Sequence, residues 1–232
     1  MIDSALLSPV RGFVFFVLHP RLWFKPLLIT FFASLLVGLV FGYSIWGYWP
    51  EELGSTWHYL LGVLKAIGLA SLISVVMWAF FISILLSYAF DSMMRKALKS
   101  EGLLTHEVSF LVSFKIALQV MMRTLGWRIF WPFFTFIAIF FMPFASALIA
   151  QIGVGHMAVI DGAGMTMSFL GYDTLKQISV YRMYRASFLS MGVAAGLGSL
   201  FLLPTFFIWL FWIPGIYIGV AFWITKELEG RA

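Results

Sequence analysis

Charged residues divide the chain into four long uncharged stretches, at residues 26–50, 66–90, 129–160 and 186–225. A helix needs roughly 20 residues to cross the ~30 Å hydrocarbon core of a membrane. The first two stretches have about this length and predict two ordinary transmembrane helices. The third is too long for one crossing and too short for two with a turn, whereas the fourth holds two crossings only if the turn uses almost no residues.

Proline lies near the middle of both longer stretches, as Pro143 in one and Pro204 in the other. Proline ends or kinks a helix because it lacks a backbone N–H and clashes with the preceding turn. The arms on either side of Pro143, residues 129–142 and 144–160, are short for full crossings. We therefore predict two partly penetrating helical hairpins whose proline tips are buried in protein or face a wet cavity. A single long helix kinked at each proline is the alternative.

An amphipathic helix is predicted between the second and third stretches. Apolar residues recur at helical spacing from Phe110 to Leu125, while Lys115, Gln119 and Arg123 follow one another at intervals of four residues on one face. Such a helix lies at the level of the lipid headgroups or leads into the third stretch. Its basic stripe either binds anionic lipid or guides an anion, and the pattern leaves both possibilities open.

The composition indicates that lipid covers much of the surface of this protein. Of the 232 residues, 62% are apolar and only 11% are charged, against about 25% charged in an ordinary soluble domain. This excludes a water-soluble enzyme, a nucleic-acid-binding domain and a disordered linker. Cysteine is absent, which excludes disulfides and cysteine-ligated metals. No linker-like segment divides the chain, so we interpret residues 1–232 as a single membrane domain of an all-α integral membrane protein.

The basic residues predict the orientation. The loop at residues 51–65 contains one of them, Lys65, and the remaining 14 of the 15 lie near the N-terminus, in residues 91–128 and 161–185, and near the C-terminus. If each hairpin returns to its own side, these segments share one face, which the positive-inside rule makes cytoplasmic. Both termini are then cytoplasmic, and with no cleavable signal peptide in view we expect the first span to be retained. Four further full crossings satisfy the rule equally.

Glycine spacing predicts close helix packing. Glycines four residues apart let helix backbones approach closely in a membrane. We expect most of these pairs to lie in tertiary contacts and at least one to lie at a subunit interface. The pairs are Gly38 with Gly42, Gly192 with Gly196, and Gly215 with Gly219.

Polar residues at membrane depth are the candidate core residues. Gln151 and His156 fall in the second arm of the first hairpin, where an amide or ionisable group is by default a functional hypothesis. Asp161 ends the same arm, and we expect it to pair with Arg182 or Arg185. That pair either stabilises the structure at the interface or forms part of a functional polar core.

A second candidate site precedes the first span, where Arg21 and Lys25 flank Trp23. These residues form either an aromatic and basic belt or an anion site, because the N–H groups and dipole at a helix N-terminus favour negative charge. The four histidines have no metal-ligand spacing, and no glycine-rich phosphate loop is present. We therefore expect no metal, no cofactor and no enzymatic activity.

Short motifs spread over most of the chain resemble those of one family. In chain order they are Gly12-Phe13, His19-Pro20-Arg21-Leu22-Trp23, Pro26-Leu27-Leu28, Arg123, Asp161, Arg185, Met191-Gly192, Pro204, Pro214-Gly215 and Gly219-Val220-Ala221. This order is similar to that of the CysZ-type sulfate permeases and of their eukaryotic relatives, the etoposide-induced membrane proteins.

The resemblance implies a bacterial inner-membrane permease or channel for sulfate or a similar small anion, which serves cysteine biosynthesis without nucleotide. It also implies a homo-oligomer whose other partners are membrane lipids, not nucleic acid. The sulfate-contacting segment of the family carries two adjacent arginines, and here only Arg21 or Lys25 could take their place. Arg123, Asp161 and Arg185 keep the order of the family's C-terminal pattern, and with Gln151 and His156 they are the candidate core polar or ion-pair residues. Because the arginine pair is absent, the alternative is a non-transporting membrane interaction or assembly protein.

Overall fold

The computed structural model describes residues 5–50, 56–77, 79–80, 83–103, 110–202 and 206–229. These residues form helices and short turns and no β-strand, which confirms the all-α class for the part of the chain described. The helices are α1 (Ser8–Leu18), a 3-10 turn (Pro20–Leu22), α2 (Phe24–Gly47), α3 (Thr56–Met77), α4 (Ser83–Ser100), α5 (Phe110–Arg123), α6 (Leu125–Phe141), α7 (Pro143–Phe169), α8 (Thr174–Met183), α9 (Arg185–Leu202) and α10 (Phe206–Glu229).

Among the described residues, three segments are long and apolar enough to cross a membrane: Phe24–Gly47, Thr56–Met77 and Ala145–Phe169. The first two correspond to the two predicted spans, and α2 is the less covered of them, since 17% of its most apolar window is buried in the protein against 28% for α3. The third segment belongs to α7, and 72% of its window is buried. Length and composition thus indicate a membrane protein. One of its candidate spans, the α7 segment, is mostly buried by the other helices.

Two predicted helix boundaries are wrong because a single charged residue does not end a helix here. Lys65 is exposed and lies within α3, so it does not interrupt the helix. Asp161 lies within α7, where an arginine neutralises it. The second span therefore begins at Thr56, and the predicted stretch to residue 90 is divided between α3, a π-helical turn at residues 79–80 and α4.

The predicted break at Pro143 is present. Met142 has φ −143° and ψ 64°, which ends α6, and Pro143 is the first residue of α7. Proline suits that position because its missing N–H has no helical partner there in any case. Since α6 packs along α7, the alternative of one kinked helix across residues 129–160 is wrong.

The arms of this first hairpin differ from the predicted lengths. α6 contains 17 residues and α7 contains 27, so the second arm continues through Asp161 to Phe169. Nearly all side chains of residues 153–169 are buried, against α9, α6, α10 and α3 in particular. In the second hairpin, Pro204 lies outside the described residues, between the end of α9 and the start of α10.

Two of the three glycine pairs form the predicted tertiary contacts. Gly215 and Gly219 of α10 pack against Gly12 of α1. A Cβ added to any of the three would collide with the backbone of the facing helix. Gly192 and Gly196 of α9 pack against the backbone of α7 in the same way. A Cβ at Gly196 would lie 2.5 Å from the carbonyl oxygen of Gln151. The backbones therefore touch, which makes α10–α1 and α9–α7 the most extensive helix contacts of the fold.

The third pair has no such partner. A Cβ at Gly38 or Gly42 meets no described atom within 4 Å, and the same face of α2 exposes large apolar side chains such as Leu35 and Leu39. The helix predicted from Phe110 is α5, and its Lys115 and Gln119 are both exposed.

Candidate functional site

The core of the fold contains a buried ion pair between α6 and α7. The Nη2 group of Arg128 donates to Oδ1 of Asp161, and the two residues are 2% and 9% exposed. Asp161 was expected to pair with Arg182 or Arg185, but both of these are exposed. The expected partner is wrong because Asp161 lies inside a buried helix and faces α6, whereas both other arginines come after the end of that helix.

Arg128 also bonds to the π-helical turn that follows α3. Its Nη1 group donates to the carbonyl oxygen of Ala79 in that turn at 2.5 Å. One guanidinium, with its five donors in a planar fork, therefore joins α6, α7 and the turn after α3.

Tyr181 of α8 contacts the backbone beside the ion pair. Its hydroxyl donates to the carbonyl oxygen of Ile160 at 2.8 Å. Burial raises the pKa of the Tyr181 phenol well above its ordinary value, the negative charge of Asp161 raises it further, and the positive charge of Arg128 lowers it. The phenol is therefore protonated at neutral pH and acts as a donor.

Tyr217 closes the site from α10. Its side chain is fully buried, and a Cβ at Gly162, the neighbour of Asp161, would lie 3.3 Å from its ring. Within the described part of the chain, the Tyr217 hydroxyl and Oδ2 of Asp161 have no hydrogen-bond partner. Buried polar groups normally have one. The site thus offers one hydroxyl and one carboxylate oxygen that are not used by the fold.

His156 forms a second polar contact one and a half turns earlier in α7. It is 2% exposed, and its Nδ1 accepts a hydrogen bond of 2.9 Å from Nε1 of Trp131. The neutral ring then carries its proton on Nε2. Trp127 contacts the same ring edge to face at a centroid distance of 5.1 Å. His156 is therefore buried within the protein, and its hydrogen-bond partner is an indole group.

Three other predicted site residues, Gln151, Pro143 and Arg185, lie apart from these contacts. Gln151 is half-buried in α7, Pro143 is half-buried at the start of that helix, and Arg185 is exposed at the start of α9. Arg123 is the last residue of α5, and its side chain lies outside the described part of the structure.

Arg21 and Lys25 are both exposed at the N-terminal end of α2, the first in the 3-10 turn and the second in the first helical turn. Trp23 between them is anchored, since its Nε1 donates to the carbonyl oxygen of Phe16 at 2.6 Å. The end of α2 is thereby attached to α1. Two cations thus lie near the N-terminal end of α2, where the helix dipole favours negative charge.

Sequence reasoning missed Arg128, Tyr181 and Tyr217. Arg128 was interpreted as the boundary of an apolar stretch, although Trp127, Ile129 and Trp131 around it were a signal that this arginine lies within an apolar helix. No local signal indicates the tyrosines, which reach the site from α8 and α10. Among the described residues, no group of three or more histidine, cysteine or acidic side chains could hold a metal ion.

No protein-family model, curated protein or solved structure matches this chain.

Proposed function

We propose that this protein is a membrane permease or channel for sulfate or a related inorganic anion, without nucleotide-driven transport. The observation that carries the proposal is the Arg128–Asp161 pair, a charged site held in the core of an apolar helical protein. Charged residues at membrane depth are costly, and where they occur they commonly line ion or substrate pathways. The family resemblance of the sequence supports the choice of anion.

In this proposal, Arg21 and Lys25 capture the anion at the cytoplasmic rim. Both are exposed beside the N-terminus of α2, where the helix dipole adds attraction for negative charge. The inner step occurs at Arg128, whose planar guanidinium can exchange one oxyanion for another. Asp161 holds that cation when no substrate is present, so the charge of Arg128 is neutralised in both states.

The proposal also covers the membrane location, the topology and the partners of the protein. The protein lies in the bacterial inner membrane with both termini in the cytoplasm, and the hairpin turns near Pro143 and Pro204 lie along the path, where backbone dipoles face the anion. The chain works as a homo-oligomer, with sulfate and membrane lipids as its partners.

Labelled sulfate uptake into proteoliposomes tests the proposal. We expect flux above that of empty liposomes, a large reduction in an Arg21→Ala, Lys25→Ala variant, and loss of flux in an Arg128→Gln, Asp161→Asn variant that removes both buried charges together. Lys226→Gln, which removes an exposed cation from α10, serves as the matched control. Absence of flux from protein that is folded by circular dichroism and gel filtration overturns the proposal.

The second candidate is a non-transporting membrane interaction or assembly protein. One observation favours it: Arg128 and Asp161 neutralise each other, and Arg128 also joins three helical segments. Both features suit a purely structural pair. Anion binding to the Arg21→Ala, Lys25→Ala variant separates the candidates, because loss of binding with normal folding supports transport and unchanged binding supports the interaction protein.

A further inference from the structure

Helix α8 carries an open groove on its outer face that neither the ion pair nor the rim cations explain. The groove is lined by Leu175, Ile178, Ser179 and Arg182. These residues are three and four positions apart, so they form one face of the helix. The opposite face, with Gln177 and Val180, is buried against the protein.

The groove lies close to the end of a candidate membrane span. The apolar segment Ala145–Phe169 contains 25 residues. At about 1.5 Å per residue it extends roughly 37 Å, more than the ~30 Å hydrocarbon core. Residues 170–173 separate this segment from α8, and Gly171 in that turn has φ +76°. We therefore expect α8 to lie near the level of the lipid headgroups.

The chemistry of this outer face is both apolar and cationic. Leu175 and Met183 are 70% and 60% exposed, which is unfavourable for large apolar side chains in water. Lys176 and Arg182 are exposed beside them. The carboxylate of Asp173 is already used at the N-terminus of the helix, where Oδ1 accepts from the backbone N–H of Lys176 at 2.8 Å.

A neighbouring helix extends this surface. Gln119 of α5 accepts a hydrogen bond of 2.9 Å from the hydroxyl of Thr174, the first residue of α8. α5 also exposes the cation Lys115 among large apolar side chains such as Leu111 and Met122. Two adjacent short helices thus present apolar and basic groups together, which is the composition of a surface at the membrane interface.

We propose that the α8 groove binds the headgroup of an anionic phospholipid. The guanidinium of Arg182 and the hydroxyl of Ser179 hold the phosphate, and Leu175 and Ile178 contact the first part of an acyl chain. Charge complementarity selects this occupant. The guanidinium of Arg182 binds phosphate through paired donors, and the exposed Lys176 on the same helix adds a second positive charge, which favours a headgroup with net negative charge over a zwitterionic or uncharged one.

Native mass spectrometry of the detergent-solubilised full chain, titrated with phosphatidylglycerol or phosphatidylcholine, tests this site. We expect one phosphatidylglycerol per chain to be retained at concentrations where phosphatidylcholine is lost. Arg182→Gln is expected to weaken that binding about tenfold, the effect of losing one charge-assisted contact. Arg182→Lys keeps the charge and is expected to give an intermediate loss.

The control is Lys226→Gln, which removes an equally exposed cation outside the groove and is expected to bind lipid as the wild type does. Equal loss in Arg182→Gln and Lys226→Gln overturns the proposal in favour of general surface charge. Equal binding of the two lipids overturns it, because both carry a phosphate and only the net negative charge of phosphatidylglycerol distinguishes the proposed occupant. Displacement of the lipid by millimolar inorganic phosphate overturns it in favour of a small-anion site. The readout involves no transport, so failure of the permease proposal leaves this result interpretable.

Discussion

Arg128 and Asp161, 33 residues apart in the chain, form an ion pair that is almost completely buried between α6 and α7. The same arginine donates to the Ala79 carbonyl in the turn after α3. The pair therefore determines how the first hairpin sits against the span before it. Loss of the pair is therefore expected to weaken the packing of these segments.

Removing one member of the pair is expected to cost far more stability than removing both. Arg128→Gln leaves a buried carboxylate without its cation, for which about 3–5 kcal/mol is typical. Arg128→Gln combined with Asp161→Asn leaves no buried charge and is expected to recover a large part of that loss. Thermal unfolding in detergent measures both, with Lys226→Gln as the control. Purely additive losses in the double variant would contradict the pairing.

Substitution of Gly12 is expected to separate α1 from α10. A Cβ at Gly12 would collide with the backbone at Gly215 and Gly219. Gly12→Ala should therefore destabilise the protein by at least the ~1–3 kcal/mol typical of overpacking. Gly38→Ala is the matched control, since a Cβ there meets nothing within 4 Å. It should be neutral or slightly stabilising through helix propensity. Equal melting temperatures for the two variants would rule out the backbone contact.

The contact between Trp131 and His156 is expected to contribute through its hydrogen bond. Trp131→Phe leaves the buried Nδ1 of His156 without its donor, at a cost of about 1–3 kcal/mol beyond the lost ring contacts. Trp127→Phe, which removes only an edge-to-face contact of a partly exposed ring, should cost less. Adding His156→Leu to Trp131→Phe should recover stability. A double variant no more stable than Trp131→Phe alone would show that the hydrogen bond contributes nothing.

The raised pKa of Tyr181 predicts that the protein loses stability at alkaline pH. The pKa of this phenol is raised in the folded protein, mainly by burial. Its contribution is therefore complete below the unfolded pKa of about 10 and is lost as pH rises through the higher folded value. Tyr181→Phe should lower stability at pH 8 and flatten its decline above pH 10. Tyr43→Phe, at a 73% exposed position, should leave the decline unchanged. Identical alkaline profiles for wild type and Tyr181→Phe would contradict the prediction.

Local pattern predicted the parts of the fold that depend on local physics. The α6–α7 break at Pro143 follows from the missing N–H of proline, and the close approach at Gly192 and Gly215 follows from the missing side chain. Proline alone was not sufficient, however. Pro132 and Pro214 lie inside α6 and α10 without ending them, so the surrounding helices decide which proline ends a helix.

The charge pattern failed where tertiary contacts neutralise a charge. Asp161 was interpreted as the end of an apolar arm because an isolated carboxylate is not tolerated among apolar groups. Arg128 removes that penalty, and α7 continues to Phe169. Lys65 was misinterpreted in a related way, since α3 continues through this exposed lysine.

The sequence by itself determined that this is a helical membrane protein, where its first apolar spans lie approximately, and which glycines allow helices to touch. These properties depend on composition and on spacing within one helix. Only the tertiary structure decided that Asp161 meets Arg128, that Trp131 donates to His156, and that Tyr181 and Tyr217 lie beside the pair. Those contacts join residues from different helices, and their energies depend on burial, which no single segment of the chain specifies.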